Sequence, residues 1–77
     1  MKGDELMFRF NYDKLRGRMA EKGFSQKKLA SKIGIHENTM AHKMYCDSYF
    51  TVDEVQAICK HLDIRPFDIP MYFFTLY

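Results

Sequence analysis

Glu37, Asn38, Thr39, His42 and Lys43 crowd into the seven residues "ENTMAHK", and each carries a different hydrogen-bonding group. An asparagine can bind adenine through two hydrogen bonds, and a glutamate can accept from cytosine N4. A threonine methyl can touch a thymine methyl, and a lysine can meet guanine. Set on one face of a helix, these side chains match the edges that base pairs present in a DNA major groove, which admits one α-helix. A merely solvated helix face needs no such variety. Gln26 offers a second chemistry. At the start of a helix its backbone N–H and side-chain amide can grip a phosphate, helped by the helix dipole. Lys27, Arg16, Arg18 and Lys28 are candidates for looser phosphate contacts, although Lys28 and Lys32 read equally well as solvated lysines.

Three elements must hold these residues in place. "DKLRGRMAEK" (Asp13 to Lys22) sets Leu15 and Met19 on one side, with Phe24 following, and bases on the other. Asp13 suits its start, as cap or as charge at the positive end, and Lys22 and Gly23 mark its exit. Gly17 inside it costs up to about 1 kcal/mol of helix propensity, tolerable where something must approach closely. Ser25 is an N-cap for a second helix whose inward stripe is Leu29, Ala30 and Ile33. Gly34 ends it at the position where positive φ is cheap for glycine, and Ile35 turns inward. His36 or Glu37 opens a third helix, with His36 as cap or turn residue. Met40 and Met44, four apart, face the core there, leaving the polar set outside or at the edge. "CDSYFT" breaks the pattern, and Thr51 or Asp53 begins a fourth helix with Val52, Val55, Ile58, Cys59 and Leu62 at helical spacing. Pro66 and Pro70 punctuate the tail, after which Tyr72, Phe73, Phe74, Leu76 and Tyr77 have high strand propensity. "LMFRFNY" alternates Leu6, Phe8, Phe10 and Tyr12 in the same way, so strand character is expected at both ends, pairing as a short ribbon with each other or with those of a second subunit. An extra helical turn, or an irregular lid over the helices, is the other reading of the tail.

The combination of Leu15, Arg16, Gly23, Phe24, Ser25, Gln26, Leu29, Ala30, Gly34, Ile35 and Met40, then Val55, Ile58, Leu62 and Ile64, resembles a known pattern. It is similar to the helix-turn-helix domain of phage repressor and Cro proteins, the xenobiotic-response-element type, with "SQ..LA...GI" its densest part. The resemblance covers roughly residues 12–66 and, with "YFF" near the C-terminus, is most like small phage-encoded regulators. It implies an all-α bundle of four to five short helices, with a possible terminal β ribbon. It also implies a regulator that reads double-stranded DNA with helix three. Glu37, Asn38 and His42 then fall where base-reading residues lie, with Thr39 and Lys43 next in line, and Gln26 falls at the phosphate-gripping glutamine. One departure concerns the core. The family often has an apolar residue where Lys43 stands, followed by a glutamate paired with an arginine of helix one. Here Met44 and Met19 occupy that pair, so apolar packing is expected in its place.

Composition sets bounds. Seventy-seven residues allow one domain and one small core, here residues 1–77 with a core of about 12–66 and an aromatic extension 67–77. The chain is 47% hydrophobic and 29% charged, ordinary for a folded soluble domain. No apolar run approaches the roughly 20 residues that span a bilayer, and "MKGDELMFRF" lacks signal-peptide character, so a cytoplasmic protein is expected. Cys46 and Cys59 fit reduced thiols. With His42 and His61 they lack the close-spaced pairs of structural zinc sites, so neither metal nor cofactor is expected. Residues 1–43 carry ten lysines and arginines against five acids, and residues 44–77 two against five, within an overall charge of +2. That bipolar layout suits a basic face for phosphates. No glycine-rich phosphate loop, carboxylate pair or nucleophile elbow points to an enzyme. A homodimer on symmetric half-sites is expected, with the terminal aromatics as its surface. The competing reading is a protein-interaction module, antitoxin- or anti-repressor-like, that uses the helix-turn-helix as scaffold; aromatic residues favour such interfaces.

Overall fold

A computed structural model describes residues 8–77; Leu6 of the expected N-terminal alternation lies outside them. Among the described residues five α-helices follow one another: α1 (Asp13–Glu21), α2 (Gln26–Ile33), α3 (Glu37–Met44), α4 (Val52–Leu62) and α5 (Ile69–Phe73), the last entered through a 3-10 turn at Pro66–Asp68. Helix α2 packs on α3 and α4, while α1 packs on α5. Leu15, Leu29, Met40, Met44, Ile58, Leu62 and Phe73 are fully enclosed, and Met19 joins them, so the two methionines of the departure lie in one apolar core.

Local chemistry explains the boundaries. The Ser25 hydroxyl accepts from the Lys28 N–H at 3.0 Å, and His36 Nδ1 accepts from the Asn38 N–H at 3.0 Å, so both residues act as N-caps. Thr51 opens α4 in a reciprocal capping box with Glu54. In helix α1 Asp13 is the first helical residue, the charge at the positive end rather than the cap, and the Asn11 side chain accepts the Asp13 N–H at 2.8 Å. Gly17 carries no close approach, since nothing lies within 4 Å of where a Cβ would stand. Val52, expected on the inward stripe, is exposed as the first residue of α4.

All four long helices end in one way. A residue with positive φ (Gly23, Gly34, Cys46 or Asp63) is followed by one whose N–H reaches back five positions. The bonds run from Phe24 to the Met19 carbonyl, Ile35 to Ala30, Asp47 to His42 and Ile64 to Cys59, at 2.8–3.0 Å. This is the Schellman closure, which commonly sets an apolar side chain over the last turn. Phe24, Ile35 and Ile64 conform. Asp47 does not.

The aromatic tail takes the extra helical turn rather than the strand. Ile69–Phe73 forms α5, and among the described residues only Phe10 and Leu76 pair as an antiparallel bridge, extended by the Asn11 N–H to the Thr75 carbonyl. Phe73, seated in the core against Phe50, draws the segment into a turn, because packing overrides strand propensity in so short a stretch.

Candidate nucleic-acid interface

The outer face of α3 follows from what its inner face must bury. Met40 and Met44 are enclosed, and Lys43 between them is also turned inward, only 8% exposed. Its ammonium bonds the Glu54 carboxylate of α4. Burial alone would push that carboxyl up, but the Lys43 ammonium and the Thr51 donors outweigh it and hold it below the usual glutamate range. The expectation that Lys43 reads bases is therefore corrected: its charge is spent on a buried ion pair that bolts α3 to α4.

Glu37, Asn38, Thr39 and His42 remain exposed. Asn38 and His42 are four apart and Thr39 and His42 three apart, so they share one surface of the helix. His42 Nδ1 lies 3.0 Å from the Asp47 carboxylate. Sequence reasoning missed Asp47; the breaker "CDSYFT" contained it, but nothing in the pattern announced that Cys46 would take positive φ in place of glycine. The Cys46 thiol, buried, donates to the Phe10 carbonyl at 3.1 Å and helps hold that conformation.

The phosphate candidates divide. Gln26 opens α2 directly after the Ser25 cap, and first-turn N–H groups of a helix have no acceptor within it. Lys27 beside it is exposed, as is Lys32. Lys28 also faces outward, but its ammonium leans 5.0 Å from the Phe24 ring centre. Arg16 and Arg18 do something else. The Arg16 guanidinium donates to the Met44 carbonyl at 3.0 Å, at the end of α3. Arg18 donates to the carbonyls of Leu62 at 2.8 Å and Asp63 at 3.0 Å, at the end of α4. Cations at helix C-termini satisfy orphan carbonyls and complement the dipole. Both arginines thus hold the bundle together, a structural role that their reading as phosphate contacts did not include. Lys22 adds a 2.8 Å bond to Asp63, and that contact, ahead of Arg18, keeps the Asp63 carboxyl below its ordinary range. Arg18→Ala is expected to lower stability by about 1–3 kcal/mol, since charged hydrogen bonds are lost and a half-buried carbonyl is left bare. A denaturant titration checks it; a phosphate contact would instead leave the midpoint unchanged and flatten the salt dependence of DNA affinity.

A cleft of about 340 Å³, to which no residue of α3 contributes, is lined by Phe8, Phe10, Tyr49, Phe50, Val52 and Phe74, among others. The Tyr49 hydroxyl donates to the Phe8 carbonyl at 2.6 Å and fixes one wall. Tyr12 lies at the floor, its phenol pushed up to about 12 chiefly by burial, and so stays neutral. Cys59 is a buried free thiol raised by burial, a core residue as its spacing suggested. Among the described residues no three of His, Cys, Asp and Glu gather as a metal site would require, and no helix is long and apolar enough to cross a membrane.

A bundle whose second and third helices are joined through Gly34, with a polar outer face on the third, is the helix-turn-helix architecture. The chain belongs to the Cro/C1-type HTH DNA-binding domain family, which matches residues 14–73. It is similar to the solution structure of the modulator of repression (MOR) of the temperate bacteriophage TP901-1 from Lactococcus lactis. The two share 32% identity and a TM-score of 0.74 over 84% of this chain and 88% of that one. No curated protein matches the sequence at a comparable level.

Proposed function

We propose that the protein is a sequence-specific transcription regulator that binds double-stranded DNA with α3 in the major groove. The observation that carries this reading is the division of α3: Met40, Lys43 and Met44 close inward, and Glu37, Asn38, Thr39 and His42 are left as one exposed hydrogen-bonding surface. Gln26 and Lys27, with Lys28 at the rim, meet the backbone phosphates beside it. A carboxylate among phosphates is repelled, so Glu37 calls for a cytosine amino group opposite it. The working form is a homodimer in the cytoplasm, whose two reading heads meet half-sites roughly 34 Å apart. Sedimentation at micromolar concentration addresses that state, and a monomer both free and on DNA would refute it. Enrichment from a randomised duplex library tests the reading as a whole. A palindromic motif supports it; weak, salt-sensitive binding without enrichment overturns it.

A second reading has its own observation. The aromatic cleft leaves Phe74 52% and Val52 73% exposed, and the similar phage protein is a modulator of repression. On that reading the domain acts through a protein partner, with the helix-turn-helix as scaffold. Absence of duplex affinity in both wild type and Asn38→Ala, with the fold intact, would favour it.

A further inference from the structure

Asp47 is tied to His42 twice. Its backbone N–H donates to the His42 carbonyl at 2.8 Å, and its carboxylate lies 3.0 Å from His42 Nδ1. The first bond is the Schellman closure of α3, and it is what carries the Asp47 side chain over the last turn. At the matching position the three other long helices place Phe24, Ile35 and Ile64, apolar residues that pack inward. In α3 alone the closure holds an acceptor against a side chain of the exposed face. The pair lies in the open, with the His42 side chain 64% and that of Asp47 42% exposed, and together with Thr39 and Ser48 it borders one depression.

Chemistry then fixes the ring. An ionised carboxylate can only accept, so Nδ1 must carry the proton and donate. In the neutral imidazole the other nitrogen, Nε2, is thereby left as a lone-pair acceptor. Base edges in the major groove differ in this respect: cytosine N4 and adenine N6 donate, whereas guanine N7 and O6 accept. Resting on the proposed DNA reading, we infer that Asp47 is a specificity-determining, positioning residue. It holds the His42 ring in the Nδ1–H tautomer, so that Nε2 selects a base with an amino donor and disfavours guanine. Asp47 itself need touch no base.

Two measurements test this, and the first needs no DNA. In 15N-labelled protein, at a pH where the ring nitrogen shifts report a neutral imidazole, His42 should be protonated on Nδ1. Asp47→Ala should move it toward the Nε2–H form that free histidine prefers, while Asp47→Asn, whose amide oxygen still accepts, should retain Nδ1–H. The second compares single-base variants of the enriched duplex at the same pH. Asp47→Ala should shift the preference at one step of each half-site toward guanine by about tenfold and leave the other steps alone. Asp47→Asn should keep the wild-type preference, and His42→Ala should erase discrimination at that step. An Nε2–H ring in the wild type, or base preferences that survive Asp47→Ala or His42→Ala, overturns the inference while leaving the DNA reading standing. Failure of the wild type to enrich any duplex sinks the DNA reading and this specificity role with it.

Discussion

Glu54→Ala is expected to destabilise the domain by about 3 kcal/mol, the largest effect of any single exposed-to-core polar change here. The side chains of Lys43 and Glu54 are only 11% and 14% exposed, so truncating the glutamate strands an ammonium in the interface between α3 and α4. It also removes half of the capping box at Thr51. A loss of that size is a large share of the 5–15 kcal/mol that holds most small domains together. Glu54→Gln combined with Lys43→Met should recover most of the stability. Glutamine can still complete the cap, and apolar packing commonly replaces a buried ion pair without loss. Urea midpoints of the three proteins decide the matter, and a double variant as weak as Glu54→Ala would show that the pair does more than fill space. The pH dependence has a definite sign. Because the folded state holds the Glu54 carboxyl below its ordinary value of 4.5, its contribution is complete above that value. It drains away as pH falls through the lower, folded-state value, and the Glu54→Ala protein should lose this part of its acid sensitivity.

Asn38→Ala is expected to weaken specific DNA binding by roughly 1–3 kcal/mol, about five- to 150-fold, if the amide makes a two-bond contact with adenine. Stability should change little, because Asn38 is exposed and its backbone N–H, not its side chain, holds the His36 cap. The loss should concentrate at one base step, with non-specific affinity and its salt slope unaltered. Lys27→Ala should behave in the opposite way, lowering affinity for all sequences alike. Equilibrium titrations of the enriched duplex against a scrambled one at two salt concentrations separate the two patterns.

The helix order was legible because its punctuation is chemical: Ser25, Gly34 and Thr51 stand where caps and a left-handed turn require them. The rotation of α3 was harder to read. It spans eight residues, and only Met40 and Met44 mark its inner face, two points that leave their neighbour Lys43 free to fall on either side. What turns Lys43 inward is Glu54, eleven positions later, in a stretch whose pattern signals only the start of a helix. Arg16 and Arg18 illustrate the same limit. A basic residue near a reading head suggests phosphate, yet the carbonyls they cap belong to helices that come near only once the chain is folded. In the tail, local strand propensity gave way to the burial of Phe73, a tertiary effect outside any short window.

The central claim is that the exposed face of α3 meets DNA. Backbone amide shifts of 15N-labelled protein, followed as duplex DNA is added, test it most directly. Perturbations gathered on residues 26–27 and 37–42, with the aromatic cleft silent, are the predicted result. Shifts confined to Phe8, Tyr49, Val52 and Phe74, or none at low salt, would contradict it.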